Sequence, residues 1–231
     1  MSSSKKTFWT ETLPEPLPDN PLEIAAQWLI QAQHEAAQPN PNSMVLATVD
    51  ERGCPSARVV LCKEIAAQQG YLLFYTNYQS RKGSELVANP RAAVVFHWDH
   101  LHRQVRAEGR VERLSDGEND AYFRTRAWPK QLGAWASLQS QPVASRAALC
   151  AAVVREARRF GIPYEGPGSV EPEGISVTVP RPPHWGGYRL QIDAIELWVE
   201  GEYRIHDRAR WTRPLSQSAS GGPWTATRLQ P

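Results

Sequence analysis

Met44-Val45-Leu46-Ala47-Thr48-Val49 is followed by Asp50-Glu51-Arg52-Gly53 and then by Ser56-Ala57-Arg58-Val59-Val60-Leu61-Cys62-Lys63. Two apolar, β-branched runs on either side of a turn-forming tetrapeptide predict a β-hairpin. Tyr71–Thr76, Arg91–Trp98 and Arg103–Leu114 follow at short spacing, and each reads as a further strand. Late strands are predicted at Gly187–Gln191, Ala194–Val199, Tyr203–Asp207 and Trp224–Leu229. Sequential strands with short connections predict an antiparallel sheet or barrel.

Helices surround this β block. Asp19-Asn20-Pro21 is a capped start, and Leu22, Ala25, Trp28, Leu29 and Ala32 recur at helical spacing, so a helix runs to about Ala37. A short helix is expected over Ser80–Ala88, ended by Asn89-Pro90. Ser115-x-x-Glu118 is a capping box opening a helix to about Thr125. Gln131–Ser137 and Ala144–Phe160 complete the set. The class is α+β, mainly β. Residues 1–18, with Pro14, Pro16 and Pro18, read as a flexible arm. Residues 19–231 read as one domain, within which 161–183 is a Pro/Gly-rich connector.

Composition narrows the function classes. The chain has 231 residues, 41% hydrophobic and 22% charged, an ordinary globular balance. A net charge of +2 argues against nucleic acid as a partner, and any basic site must be local. No apolar run approaches the roughly 18 residues needed to span a bilayer, so no membrane partner is expected. Met1–Lys6 leads into polar sequence without an apolar h-region, which predicts no signal peptide and a cytoplasmic protein. Cys54, Cys62 and Cys150 form no C-x-x-C pair and suit a reducing compartment. His97, His100 and His102 lie close together, but no acidic or cysteine set completes a metal site, and none is expected.

Four groups could carry chemistry. On a strand, Arg58, Val60 and Cys62 share one face and Val59, Leu61 and Lys63 the other. Ser80-Arg81-Lys82 opens a helix just past a strand, where a hydroxyl, two cations and backbone N–H groups make a phosphate site. Tyr122, Arg126 and Lys130 share a face if a helix persists, although Pro129 can break it; they suit a second anion or a solvated face equally. In Arg204-Ile205-His206-Asp207-Arg208, strand alternation would put Arg204, His206 and Arg208 on one surface, with Trp198 nearby. That surface suits a flat anionic ligand, and equally a solvated strand. There is no G-x-S-x-G, H-E-x-x-H, P-loop or G-x-G-x-x-G, so an enzyme here would need a bound cofactor.

These stretches, together with Ala47–Asp50, Phe74–Asn77, Arg103-Gln104-Val105, Gly133–Ser140, Trp185–Arg189 and the ending Arg228-Leu229-Gln230-Pro231, resemble the pyridoxine/pyridoxamine 5′-phosphate oxidase family. These are FMN enzymes that make pyridoxal 5′-phosphate, and the resemblance covers about residues 19–231. It implies an FMN-binding split β-barrel, antiparallel, with flanking helices, and a homodimer with FMN at the subunit interface. Carried over by position, Arg58 and Lys82 resemble FMN-phosphate ligands, in a cofactor set with Val59, Val60, Leu61, Lys63, Tyr75, Thr76, Arg81, Gln139 and Ser140. Gln104, Trp198 and Arg208 resemble residues around the flavin ring. Lys63, Tyr122, Arg126 and Lys130 resemble the substrate-phosphate set, and Arg204 and His206 the pair facing the substrate ring.

The implied reaction oxidises pyridoxamine or pyridoxine 5′-phosphate, with O2 as acceptor and H2O2 as product. Two departures stand out. Better-known bacterial members carry a basic, tyrosine-containing N-terminal lid, where Phe8–Leu17 is acidic and proline-rich. Lys130 stands where the family usually has a small serine. Both changes suit a second reading, a related FMN oxidase acting on a phenazine-type intermediate; a third is a non-enzymatic flavin- or pyridoxal-phosphate-binding barrel, against which the complete ring-facing pair Arg204 and His206 counts.

Overall fold

The computed structural model describes residues 11–169, 174, 177–215 and 222–231. Expectations for 1–10, and for the rest of the 161–183 connector, lie outside the described residues. The strands are β1 (Ser43–Val49), β2 (Pro55–Ala66), β3 (Tyr71–Asn77), β4 (Arg91–Trp98), β5 (Arg103–Arg113), β6 (Trp185–Val199), β7 (Asp207–Thr212) and β8 (Thr225–Leu229). The helices are α1 (Pro21–Glu35), α2 (Arg81–Ala88), α3 (Asp116–Arg124), α4 (Trp128–Ala136) and α5 (Arg146–Arg159). The strand order is β3-β2-β1-β4-β5-β6-β7-β8, and β3 also pairs with β6. That pairing closes six strands into the split β-barrel that the family resemblance implied, with β7 and β8 continuing the sheet from β6.

The opening hairpin forms for local reasons. Val45 pairs with Val59 and Leu46 with Arg58 across β1 and β2. In the turn, Asp50 Oδ1 accepts the Arg52 and Cys54 N–H groups at 3.0 and 2.8 Å, and Gly53 takes a φ of +82° that glycine adopts without penalty. The helix starts are equally local. Asn20 caps α1, Ser115 and Glu118 make the capping box of α3, and Ser145 caps α5.

The chain divides into two compact units. The first comprises Met1–Phe74, Asn89–Glu112 and Arg189–Pro231; the second comprises Tyr75–Ala88 and Arg113–Tyr188. The first unit buries Leu46, Phe74, Phe96, Trp98, Leu197 and Trp211. The second buries Phe123, Leu132, Ala157, Ile162 and Trp185 in one cluster. In the first unit, a Cβ on Gly109 of β5 would sit 1.8 Å from the Gln191 carbonyl oxygen on β6. The carbonyl oxygen belongs to the backbone and a Cβ is fixed to its Cα, so neither can step aside. Gly109→Ala is therefore expected to cost about 2–4 kcal/mol, read as a lower denaturant midpoint at unchanged m-value; a midpoint within error of wild type would refute the close approach.

Three expectations are corrected. The two late strands Gly187–Gln191 and Ala194–Val199 are one, β6, whose 15 residues run without a break through Asp193. Tyr203–Asp207 is not a strand: Glu202–Arg204 form a tight turn, and β7 starts only at Asp207. α3 ends at Arg124 and Pro129 sits in the first turn of α4, so Tyr122, Arg126 and Lys130 share no helix face.

The arm also has described structure from residue 11 onward. Glu11 makes a two-pronged pair with the buried Arg103, at 2.5–2.9 Å. Leu13 is buried, and the Pro18 carbonyl accepts Trp211 Nε1–H at 2.9 Å.

Candidate active site

In the second unit, the chain leaves β3 through Thr76-Asn77 and enters α2. Asn77 Oδ1 accepts the Gln79 N–H at 2.8 Å, and Ser80 Oγ donates to the Asn77 carbonyl at 2.6 Å and accepts the Gly83 N–H at 3.3 Å. These bonds fix the first turn of α2. Gly83 is required there, because a Cβ would lie 2.1 Å from the Tyr78 carbonyl oxygen. Lys82 is buried, and its Nζ donates to Gln139 Oε1 at 2.8 Å and Ser80 Oγ at 3.3 Å. Thr76 Oγ1 lies 3.3 Å from the same Gln139 oxygen. Thr76, Ser80, Lys82 and Gln139 thus form one hydrogen-bonded cluster, with the Lys82 ammonium as its charged donor, at a helix N-terminus, and a cation there fits a phosphate monoester such as that of FMN.

Beside that cluster in sequence, a second one is built of rings. Tyr75 and Tyr122 stack at 3.9 Å, and Tyr75 and Trp185 at 5.1 Å, all nearly parallel. The Arg126 guanidinium lies over Trp185 at 4.5 Å. Its Nη1 is buried and has no hydrogen-bond partner among the described residues, and burial pulls the Arg126 pKa below the ordinary arginine value. A buried cationic N–H without an acceptor is costly, so this corner fits an anionic group. The sequence paired Tyr122 with Arg126 through a helical face; tertiary packing on Trp185 brings them together instead. Lys130 is exposed, as are Gln139, Ser140 and Arg81, and Arg81 binds Glu85 at 2.8 Å.

In the first unit, Arg58 donates to the Leu46 carbonyl at 3.3 Å, to Ser56 Oγ at 2.5 Å and to Thr48 Oγ1. Its guanidinium is thereby oriented by β1 and β2. Val59, Leu61 and Lys63 are exposed, and Val60 is half-buried beside Arg58 on the opposite face from them. Gln104 is half-buried on β5, paired with His97. Trp198 on β6 pairs with Arg208 on β7 and packs its ring 4.7 Å from that of His206. The Gly201 N–H donates to His206 Nδ1 at 3.1 Å. Nδ1 is then an acceptor, so a neutral His206 carries its proton on Nε2.

Arg204 is exposed and has a φ of +66°, with Tyr203 before it at +54°. The Ile205 N–H closes the turn on the Glu202 carbonyl at 2.8 Å. Arg204 and His206 therefore come from a turn, and only Arg208 from the strand.

Two residues that sequence reasoning passed over support these groups. Glu196 is buried, and its Oε1 accepts Arg208 Nε and Nη2 at 3.0 and 2.8 Å. The signal was present: an acid at i−2 from Trp198, alternating with Ile195, Leu197 and Val199. Asn119 is buried in the second unit, where it accepts the Gly187 N–H at 2.7 Å and donates to Tyr78 Oη at 3.2 Å. No local pattern marks it. Burial pushes the Cys62 thiol up to about 12, which keeps it out of thiolate chemistry. Among the described residues, no group of three or more His, Cys, Asp or Glu is placed to hold a metal ion, and no helix is long and apolar enough to cross a membrane.

Comparison with known proteins now gives this arrangement a context. Residues 30–158 match the family model described as pyridoxamine 5′-phosphate oxidase, and residues 185–231 match that of the pyridoxine 5′-phosphate oxidase C-terminal dimerisation region. The chain is 45% identical over 214 residues to a pyridoxine/pyridoxamine 5′-phosphate oxidase of Maricaulis maris, covering 92% of this chain and 86% of that protein. It is 48% identical over 212 residues to that of Methylibium petroleiphilum, covering 92% and 89%. Among solved structures it is similar to PhzG from Burkholderia lata, in complex with tetrahydrophenazine-1-carboxylic acid, at 29% identity and a TM-score of 0.77, covering 93% and 94%. With more than half of its length inside one family model and with relatives well above 40% identity along nearly all of it, the chain belongs to the pyridoxamine 5′-phosphate oxidase family.

Proposed function

We propose that this protein is an FMN-dependent oxidase converting pyridoxamine 5′-phosphate and pyridoxine 5′-phosphate to pyridoxal 5′-phosphate. The observation that carries the reading is Arg126: a half-buried guanidinium whose buried Nη1–H has no acceptor among the described residues, set on a stack of three aromatic rings, inside a chain 45–48% identical to oxidases of these vitamers. An anionic substituent beside flat rings is what a phosphorylated pyridine presents. In this reading the enzyme works in the cytoplasm as a homodimer with FMN at the subunit interface.

Bound FMN would supply the two-electron chemistry, oxidation of the substrate at C4′–H with O2 as the final acceptor and H2O2 as the product. The chain's own residues bind and orient. In the second unit, Lys82, Thr76 and Gln139, with Arg81 and Ser140, are the proposed set for the cofactor phosphate; in the first unit, Arg58, Lys63 and Val59–Leu61 are the cofactor contacts that the resemblance implies. Gln104, Trp198 and Arg208 address the flavin ring. In the second unit, Tyr122, Arg126 and Lys130 are the proposed set for the substrate phosphate; in the first, Lys63 is proposed for the same phosphate by resemblance, and Arg204 and the Nε2–H of His206 for the pyridine ring. Orientation, rather than a strong acid or base, supplies most of the rate.

The test is direct. The purified protein should show a flavin spectrum and release peroxide with either vitamer. Flavin without turnover of both, but with turnover of a dihydrophenazine carboxylate, would replace this reading with the phenazine one. Arg126→Ala should raise KM for the phosphorylated substrate about 10- to 50-fold, since a charge-assisted hydrogen bond contributes about 1.5–3 kcal/mol. Steady-state kinetics check this, and an unchanged KM would remove Arg126 from the substrate set.

A further inference from the structure

Asp207 lies between two residues of the proposed site, His206 and Arg208, yet on β7 it faces away from Arg208, on the side of Ala209 and Trp211, both fully buried. Its carboxylate joins three distant segments. Oδ2 accepts the Leu13 N–H from the arm at 2.7 Å, and Oδ1 accepts Arg228 Nη1 from β8 at 2.5 Å. Arg228 closes the circuit, because its Nη2 donates to the Pro14 carbonyl at 3.1 Å. The arm is held on either side of this point as well, by Glu11 on Arg103 and by the Pro18 carbonyl on Trp211.

We propose that Asp207 is a positioning residue for His206 and Arg208, and that arm residues 11–18 are a fixed strap that holds it. The proposal rests on the functional reading above, which puts His206 and Arg208 at the substrate and the flavin. The physical need is local. The chain reaches Asp207 from a turn with two left-handed residues, and β7 begins only there, so ladder pairing alone holds one side of its first residue. A carboxylate with two donors, one a guanidinium and one the backbone N–H of a buried residue, fixes that first residue from the other side. An error of about 1 Å at His206 is enough to cost substantial rate in a reaction governed by orientation. The acidic, proline-rich arm, which does not match the family's basic lid, thereby has a task of its own: it supplies a buried N–H and a carbonyl to the Asp207–Arg228 pair.

Asp207→Asn and Arg228→Gln test this in the full-length holoenzyme, by vitamer turnover, FMN absorbance and hydrogen exchange at the Leu13 amide. Asp207→Asn is expected to lower kcat about tenfold with KM within twofold and FMN content unchanged, and to speed Leu13 exchange at least tenfold. Arg228→Gln, at a partly exposed side chain that the fold should tolerate, is expected to reproduce the kcat loss, and the double variant to be no worse than Asp207→Asn. Faster exchange with unaltered kinetics would make Asp207 an anchor only, and unaltered exchange would remove the strap; either overturns the proposal. A wild-type protein that turns over neither vitamer would defeat the functional reading instead, and Leu13 exchange would still judge the strap.

Discussion

Replacing Lys82 with methionine is expected to weaken FMN binding by about 100-fold while the protein remains folded. The ammonium is buried at the start of α2, where the helix dipole disfavours a cation, and such a placement is stable only where something else repays it. Ser80 Oγ and Gln139 Oε1 repay part of it by accepting its protons. A phosphate monoester, held also by the helix N-terminus, is the ligand whose charge makes the whole arrangement favourable. Methionine keeps the aliphatic stem's packing and removes only the charge and donors. The loss of one or two charge-assisted hydrogen bonds, at about 1.5–3 kcal/mol each, gives the stated factor. Titrating the apoprotein with FMN by fluorescence quenching measures it, alongside a melting curve without FMN. An unchanged dissociation constant would move the phosphate away from α2. Because the unliganded protein is relieved of a poorly placed charge, its melting temperature should hold or rise.

The parts of the fold legible in the sequence are those whose cause is local. Asn20, Ser115 and Ser145 cap helices with their own side chains, and the Asp50 turn carries its acceptor and its glycine within five residues. The barrel hairpins follow from alternation. Features with no local signature are set by distant partners. Tyr203 and Arg204 have none of the Gly or Asn chemistry of a turn with two left-handed residues, so strand alternation was the natural reading. The turn exists because Gly201 lets the backbone approach Ile205, where any Cβ would lie 1.8 Å from the carbonyl oxygen. The helical spacing of Tyr122, Arg126 and Lys130 does not hold, and Arg126 still sits by Tyr122 because both pack into the Trp185 cluster. The contacts of arm residues 11–18 have no local signature, because their partners, Arg103, Asp207, Trp211 and Arg228, lie far away along the chain.

Arg204→Ala is expected to lower kcat by about 10²–10³-fold, the range seen when a preorganised donor is removed from a reacting centre, with FMN content unchanged. The backbone sharpens this test. Arg204 has a φ of +66° directly after Tyr203 at +54°, and neighbouring left-handed non-glycine residues cost about 1 kcal/mol or more apiece. Such strain survives where the side chain it presents is needed. Arg204→Ala keeps the strain and removes the guanidinium; Arg204→Gly removes both. The two variants should be equally slow, yet the glycine variant should melt higher by about 2–4 °C, the shift that 1 kcal/mol produces in a chain of this size. Equal loss of rate with unequal stability would assign the defect to the missing guanidinium and not to a disturbed turn. Activity recovered in the glycine variant would mean that turn geometry, rather than the Arg204 side chain, serves the substrate. Loss of FMN in both would move Arg204 from the substrate ring to the flavin.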